Sequence, residues 1–129
     1  MPLHITALYA AILAILGVVL SVYVSTNRGK YKVAVGDGGH PEMQVIIRRH
    51  ANFAESVPLA LITLALAEAG GLSATWLHVA GLILLASRLI HPFGLSFGEP
   101  TNPLRIVGAV GTSTATLIAA VAILMQNFA

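Results

Sequence analysis

The sequence predicts an all-α integral membrane protein, a bundle of four helices in up-down order, on three observations. Apolar residues make up 57% of the chain and charged residues only 9%, a balance that soluble domains do not show. Four apolar stretches, at about 5–25, 42–69, 74–93 and 104–125, each approach the roughly 20 residues that a bilayer core requires. The seven Lys and Arg residues fall in two places only: Arg28, Lys30, Lys32, Arg48 and Arg49 around the first connection, and Arg88 and Arg105 around the third. By the positive-inside rule those two connections are cytoplasmic, and both termini and the Gly70-Gly71 turn lie on the far side.

Several function classes are excluded at once. One four-helix domain, 1–129, uses the whole chain, so chemistry belongs inside the bundle or at its surface. The formal net charge of +2 reports membrane orientation and gives no reason to expect nucleic acid as a partner. The first span lacks a basic n-region and reads as a retained helix, not a cleaved signal. Without cysteine there is no disulfide, thiolate metal site or thiol nucleophile, and thiol chemistry would need a thiol-bearing substrate. No metal site is expected.

The first span places Ala10, Ala14, Gly17, Ser21 and Ser25 on one stripe, a face that lets another helix approach closely in lipid. Tyr9 and Tyr23 sit near its ends, where an amphipathic ring suits the headgroup level. From Gly29 to Pro41 the chain is glycine-rich and polar and reads as a cytoplasmic loop. Its Gly36-Asp37-Gly38-Gly39 is a flexible turn and not a phosphate loop, because no strand precedes it and no Gly-Lys-Ser follows.

Pro41 and Glu42 suit the first turn of the second helix. A period of 3.6 puts Gln44, Arg48, Asn52 and Glu55 on one stripe, while Arg49 and His50 point elsewhere. Glu55 lies two turns deeper than Arg48, where insertion scales charge about 2.5–3.5 kcal/mol, so it is expected to face protein or trapped water. Pro58 removes one backbone hydrogen bond and predicts a kink or loosened turn. Glu68 and Gly70-Gly71 close the helix.

The third span opens with Trp76, an interface anchor, and brings Arg88 and His91 together at i and i+3. His78, near the opposite surface, is given no role. Gly94 to Pro103 forms the next loop. Arg105 then falls in the first turn of the last helix, where a cation opposes the helix dipole and suggests an anionic partner. Gly108, Thr112, Thr116 and Ala120 recur at intervals of four, a packing face.

Arg28, Arg48, Arg88 and Arg105 thus converge on the cytoplasmic end, with Glu55 the one carboxylate among them inside a span. Two readings compete: ion pairs and snorkelling side chains that fix helix register, or a site for an anionic ligand. One Glu cannot neutralise several Arg, and ionisable groups in a membrane mark ligand or ion pathways by default, which favours the ligand. A proton pathway through Glu55 is the weakest reading, since no relay residues follow it towards Glu68.

Arg48-x-His50-x-Asn52-x-x-Glu55-x-x-Pro58, Arg88-x-x-His91 and Asn102-Pro103-Leu104-Arg105 together resemble the MAPEG family, the membrane-associated proteins in eicosanoid and glutathione metabolism. The resemblance covers all four spans and is strongest to small bacterial members of the microsomal glutathione transferase type. It implies a homotrimer with glutathione as co-substrate, bound in a U shape between neighbouring subunits at the cytoplasmic side; for a bacterial-type member the membrane is the inner one, and the far side that the charge distribution gives both termini is the periplasm. Arg48 would hold a carboxylate, Asn52 and Glu55 the γ-glutamyl end, and Arg28 would reach in from the adjoining chain. Arg105 matches the thiol-activating, catalytic position, His91 faces the ligand, and Arg88 accompanies it.

The chain also departs from that pattern. A turn after His91, where eicosanoid-processing relatives often carry Tyr, it has Pro92-Phe93-Gly94-Leu95, and Ile106 follows Arg105 in place of a polar residue. These departures speak against a dedicated prostaglandin or leukotriene synthase. They leave a glutathione transferase, with or without glutathione peroxidase activity, acting on lipophilic electrophiles. The alternative is a non-catalytic membrane scaffold that binds lipid or glutathione; that branch typically loses the Arg and Asn motif retained here.

Overall fold

The computed structural model describes residues 2–128. Four helices account for most of them: α1 (His4–Tyr31), α2 (Pro41–Ala69), α3 (Ala74–Gly94) and α4 (Pro103–Phe128). All four are long and apolar enough to cross a membrane, and no strand occurs among the described residues. Large apolar side chains such as Ile15, Val18, Leu59, Ile62, Leu117 and Leu124 stay exposed, as helices surrounded by lipid require.

Small residues bring α3 and α4 together as the most intimate pair. A Cβ on Gly94 would collide with the backbone of Leu104 and Arg105, one on Gly108 would press on His91 and the Ser87 carbonyl, and one on Gly111 would meet the Ser87 hydroxyl. Gly108 and Thr112 of the α4 stripe are buried and Thr116 and Ala120 half-buried, in agreement with the packing face expected from their spacing. Two apolar clusters fill the bundle. Leu13, Leu20, Phe53, Val57, Leu84 and Ala115 form one; Leu64, Ala67, Leu77, Ala80 and Ala119 form the other.

The helix ends differ from the sequence reading in instructive ways. α1 does not stop near residue 25 but runs to Tyr31. Thr26 and Asn27 bond back to the Val22 and Tyr23 carbonyls, and Arg28 and Lys30 suit the negative end of the helix dipole. Lys32 adopts a left-handed conformation (φ 55°), and the amide of Val33 closes on the Arg28 carbonyl at 3.0 Å, a left-handed C-terminal cap. Pro58 lies within α2, which runs on to Ala69 as the sequence reading has it.

Tyr9 is no surface anchor: it is 3% exposed, because Gly81 offers no side chain where the ring lies. Its hydroxyl lies 3.0 Å from His78 Nδ1 and donates to the His78 carbonyl at 3.3 Å, so His78 has a partner after all. Glu68 reaches across to the start of α1, where Oε1 accepts from the Ile5 amide (3.0 Å) and Oε2 from the Thr6 amide (2.7 Å). Those are two of the four amides that a helix start leaves without intrahelical partners. On α1 itself, Gly17 abuts the Phe53 ring, but Ala14, Ser21 and Ser25 are exposed, so the small-residue stripe is only partly used within the chain.

Candidate functional site

The site is built from the first half of α2, the end of α3 and the start of α4. Arg48 and Glu55, two turns apart on α2, form a paired contact, Nη1 to Oε1 at 3.1 Å and Nη2 to Oε2 at 3.2 Å. Their side chains remain 50% and 58% exposed. Glu55 is the middle residue of the 29-residue α2, about 21 Å along the axis from either end. Between the two, Asn52 turns inward and accepts through Oδ1 from Arg88 Nη1 at 2.9 Å.

Arg88 is 2% exposed. Its second terminal nitrogen donates to the Gly108 carbonyl at 3.1 Å, and its Nε is buried without a partner. Among the described residues no carboxylate reaches it; the single ion pair there is Arg48–Glu55. A buried charge held by an amide and a carbonyl alone is under-compensated. His91, one turn further along α3, is 4% exposed and packs over Gly108.

Arg105 reaches the same place through the helix start. The Asn102 carbonyl accepts the first bond of α4, from the Ile106 amide at 3.1 Å, and the Asn102 side chain accepts from the Leu104 amide at 3.0 Å. Asn102 is thus the N-cap and Pro103 the first helical residue. The close approach at Gly94 then sets Arg105 against the end of α3. Arg49 fixes the α3–α4 connection from the other side by donating to the Leu95 carbonyl at 2.9 Å.

These pieces enclose a cavity of about 270 Å³ lined by Gln44, Val45, Arg48, Asn52, His91, Leu95, Ser96, Phe97 and Arg105. Of the residues singled out from the sequence, Gln44, Arg48, Asn52, His91 and Arg105 line it. Arg88 lies behind Asn52. Glu55 is outside the lining, held by Arg48. Arg28 is away from it, donating to the Gly36 carbonyl at 2.7 Å.

Sequence reasoning missed the wall formed by Leu95, Ser96 and Phe97 and the part played by Arg49. Helical periodicity gave no position for a loop, and it placed Arg49 off the polar stripe without naming what it would meet.

Fold and site together define a multi-pass α-helical membrane protein with a cation-rich polar cavity near one end of its bundle. The MAPEG family model matches residues 6–125, and the chain belongs to that family. It is similar to the inner membrane protein YecN of Escherichia coli K12, 40% identical over 90 residues that cover 70% of this chain and 69% of that protein. The same figures hold for YecN of an O6:H1 strain. No solved structure gives a significant match.

Proposed function

We propose that the chain is a glutathione transferase that joins the glutathione thiolate to lipophilic electrophiles arriving from the membrane. The observation that carries this reading is the cavity in which Arg105 and Arg48 face Asn52 and His91, backed by a buried Arg88 without a carboxylate partner. Glutathione brings two carboxylates, one ammonium and a thiol. The carboxylates suit guanidinium groups, which hold them in bidentate fashion, and the ammonium suits Glu55 once a ligand carboxylate takes over Arg48.

In this scheme Arg105 is the catalytic residue. Its positive charge favours the thiolate over the thiol, and the thiolate is the nucleophile. Attack forms a carbon–sulfur bond while the leaving group departs with its electron pair. The same thiolate supports peroxidase chemistry: it attacks the O–O bond, releases an alcohol and becomes a sulfenic acid, which a second glutathione reduces to the disulfide with loss of water.

The assembly proposed is a homotrimer in the inner membrane, in up-down order, with both termini periplasmic and the first and third connections cytoplasmic. Two features support a site shared between subunits. The cavity of about 270 Å³ falls short of the roughly 300–1,000 Å³ of small-molecule sites, which leaves a share for Arg28 of a neighbour. Glu55 of the exposed Arg48–Glu55 pair lies at mid-helix, where contact with lipid would cost several kcal/mol.

The test is the ultraviolet band of the thiolate when purified protein is mixed with glutathione. Arg105→Ala should remove most of the band, and Arg105→Lys should retain part of it. A band of full height in Arg105→Ala would refute the role of that residue. Turnover of several electrophiles in lipid separates the enzyme from a glutathione-binding scaffold, for which binding without turnover is expected.

A further inference from the structure

A second polar cavity, of about 410 Å³, opens on the other side of the wall formed by Val45, Ser96 and Phe97, and Tyr23, Lys30, Tyr31, Glu42, Ile46 and Arg49 are among its lining residues. We propose that it binds a phosphate monoanion, such as the phosphodiester of an anionic phospholipid headgroup. This inference does not depend on the glutathione reading, because the two cavities share only that wall.

Charge comes first. Lys30 and Arg49 are cations and Glu42 is the one carboxylate in the lining, which leaves a net charge of one positive unit. Neither cation is paired with Glu42 or any other described carboxylate. Arg49 donates through Nη2 to the Leu95 carbonyl, but its other terminal nitrogen, Nη1, makes no hydrogen bond among the described residues and is not one of the atoms buried without a partner. A guanidinium edge left in that state suits a phosphate oxygen, which accepts charge-assisted hydrogen bonds. Lys30 lies 5.7 Å from the centre of the Tyr31 ring and keeps three donors for the same anion.

Position selects the source. Tyr23, Asn27, Lys30 and Tyr31 occupy the last turns of α1, and Pro41 and Glu42 the first turn of α2, so the mouth lies at the headgroup end of two spanning helices. Ile46, Val45 and Phe97 give the inner wall an apolar surface on which an acyl chain can lie while its phosphate meets the cations. Basic pockets between spanning helices hold lipid headgroups in this way.

Native mass spectrometry of the purified protein with equal amounts of dioleoylphosphatidylglycerol and dioleoylphosphatidylcholine tests the proposal. Retention of the glycerol lipid in preference is expected, falling about fivefold in Lys30→Gln, since each surface cation adds roughly that factor. Arg49→Gln should lose at least as much. Lys30 is exposed and its side chain forms no ion pair among the described residues, so Lys30→Gln keeps the fold, and an unchanged melting temperature checks this. A second arm uses inorganic phosphate at millimolar concentration. If phosphate displaces the lipid or raises the melting temperature, and Lys30→Gln abolishes that effect, the site stands and a free anion is its occupant. Equal retention of the two lipids with no response to phosphate, or a preference untouched by both variants, overturns the proposal.

Discussion

Arg88 on α3 donates to the side chain of Asn52 on α2 at 2.9 Å, and no carboxylate completes the arrangement. The protein therefore holds a buried cation with a neutral amide. Such a pairing leaves part of the desolvation cost uncompensated, and an anionic ligand in the adjoining cavity would supply the missing charge.

Asn52→Asp should separate stability from binding. A carboxylate at this position pairs directly with Arg88, so the ligand-free protein should melt higher than wild type. The same carboxylate repels an anionic ligand, and glutathione affinity should fall at least tenfold, roughly 1.4 kcal/mol. Asn52→Leu should instead lose about 1.5–3 kcal/mol of stability, the worth of a hydrogen bond to a charged group. Thermal melts and equilibrium dialysis of glutathione read the two effects. A fall in both quantities for Asn52→Asp would contradict the account.

Gly94 controls where Arg105 stands. A Cβ there would run into the backbone of Leu104 and Arg105, which cannot rotate aside as a side chain can. Gly94→Ala should cost about 1–3 kcal/mol, as overpacking does, and should weaken the thiolate band by displacing Arg105. Gly29→Ala is the control: nothing lies within 4 Å of its added carbon, and a helical Gly→Ala change should stabilise by about 0.5–1 kcal/mol. Urea melts of the two variants should therefore shift in opposite directions.

Much of this was legible in the residues, and the part that was not has a common cause. Apolar length and the placement of Lys and Arg carried the four spans, because lipid leaves a helix few alternatives. The 3.6 period brought Gln44, Arg48 and Asn52 to one face, and all three line the cavity. Contacts between helices were hidden, since periodicity describes one helix at a time. Tyr9 pairs with His78, Glu68 with the start of α1, and Arg49 with Leu95. Each partner is at least 46 residues away in sequence. The overlong α1 went unseen because Gly29 and a polar run imitate a loop, while side-chain bonds at Thr26 and Asn27 carry the helix past them.

The exposed pair on α2 makes a prediction about assembly. Arg48 and Glu55 are half or more uncovered on a spanning helix, and a neighbouring subunit covering them would remove them from lipid. Light scattering corrected for bound detergent should give a mass of three chains for wild type. Glu55→Gln leaves Arg48 unpaired at that interface and should shift the protein towards smaller species. Loss of the pair by the double change Arg48→Met, Glu55→Leu should be less harmful than Glu55→Gln alone, because replacing both partners of an ion pair leaves no orphaned charge. Three-chain assembly that survives Glu55→Gln unchanged would remove the pair from the interface.

At the opposite end of the bundle, Glu68 should act on the fold alone. Both of its oxygens accept, from Ile5 and Thr6, so no neutral side chain of equal size replaces it. In Glu68→Gln one oxygen remains an acceptor, but the other position becomes an NH₂ that meets a backbone N–H. Because lost caps cost about 0.5–2 kcal/mol, Glu68→Gln should lose about 1 kcal/mol and Glu68→Ala about 2 kcal/mol. Hydrogen exchange can locate the damage: amides in the first turns of α1 should lose protection first, while those around Asn52 and Arg88 keep theirs. The glutathione thiolate band should keep its wild-type height in both variants, since Glu68 lies outside the cavity lining. A weakened band at undiminished stability would tie the two ends of the bundle together and overturn this separation.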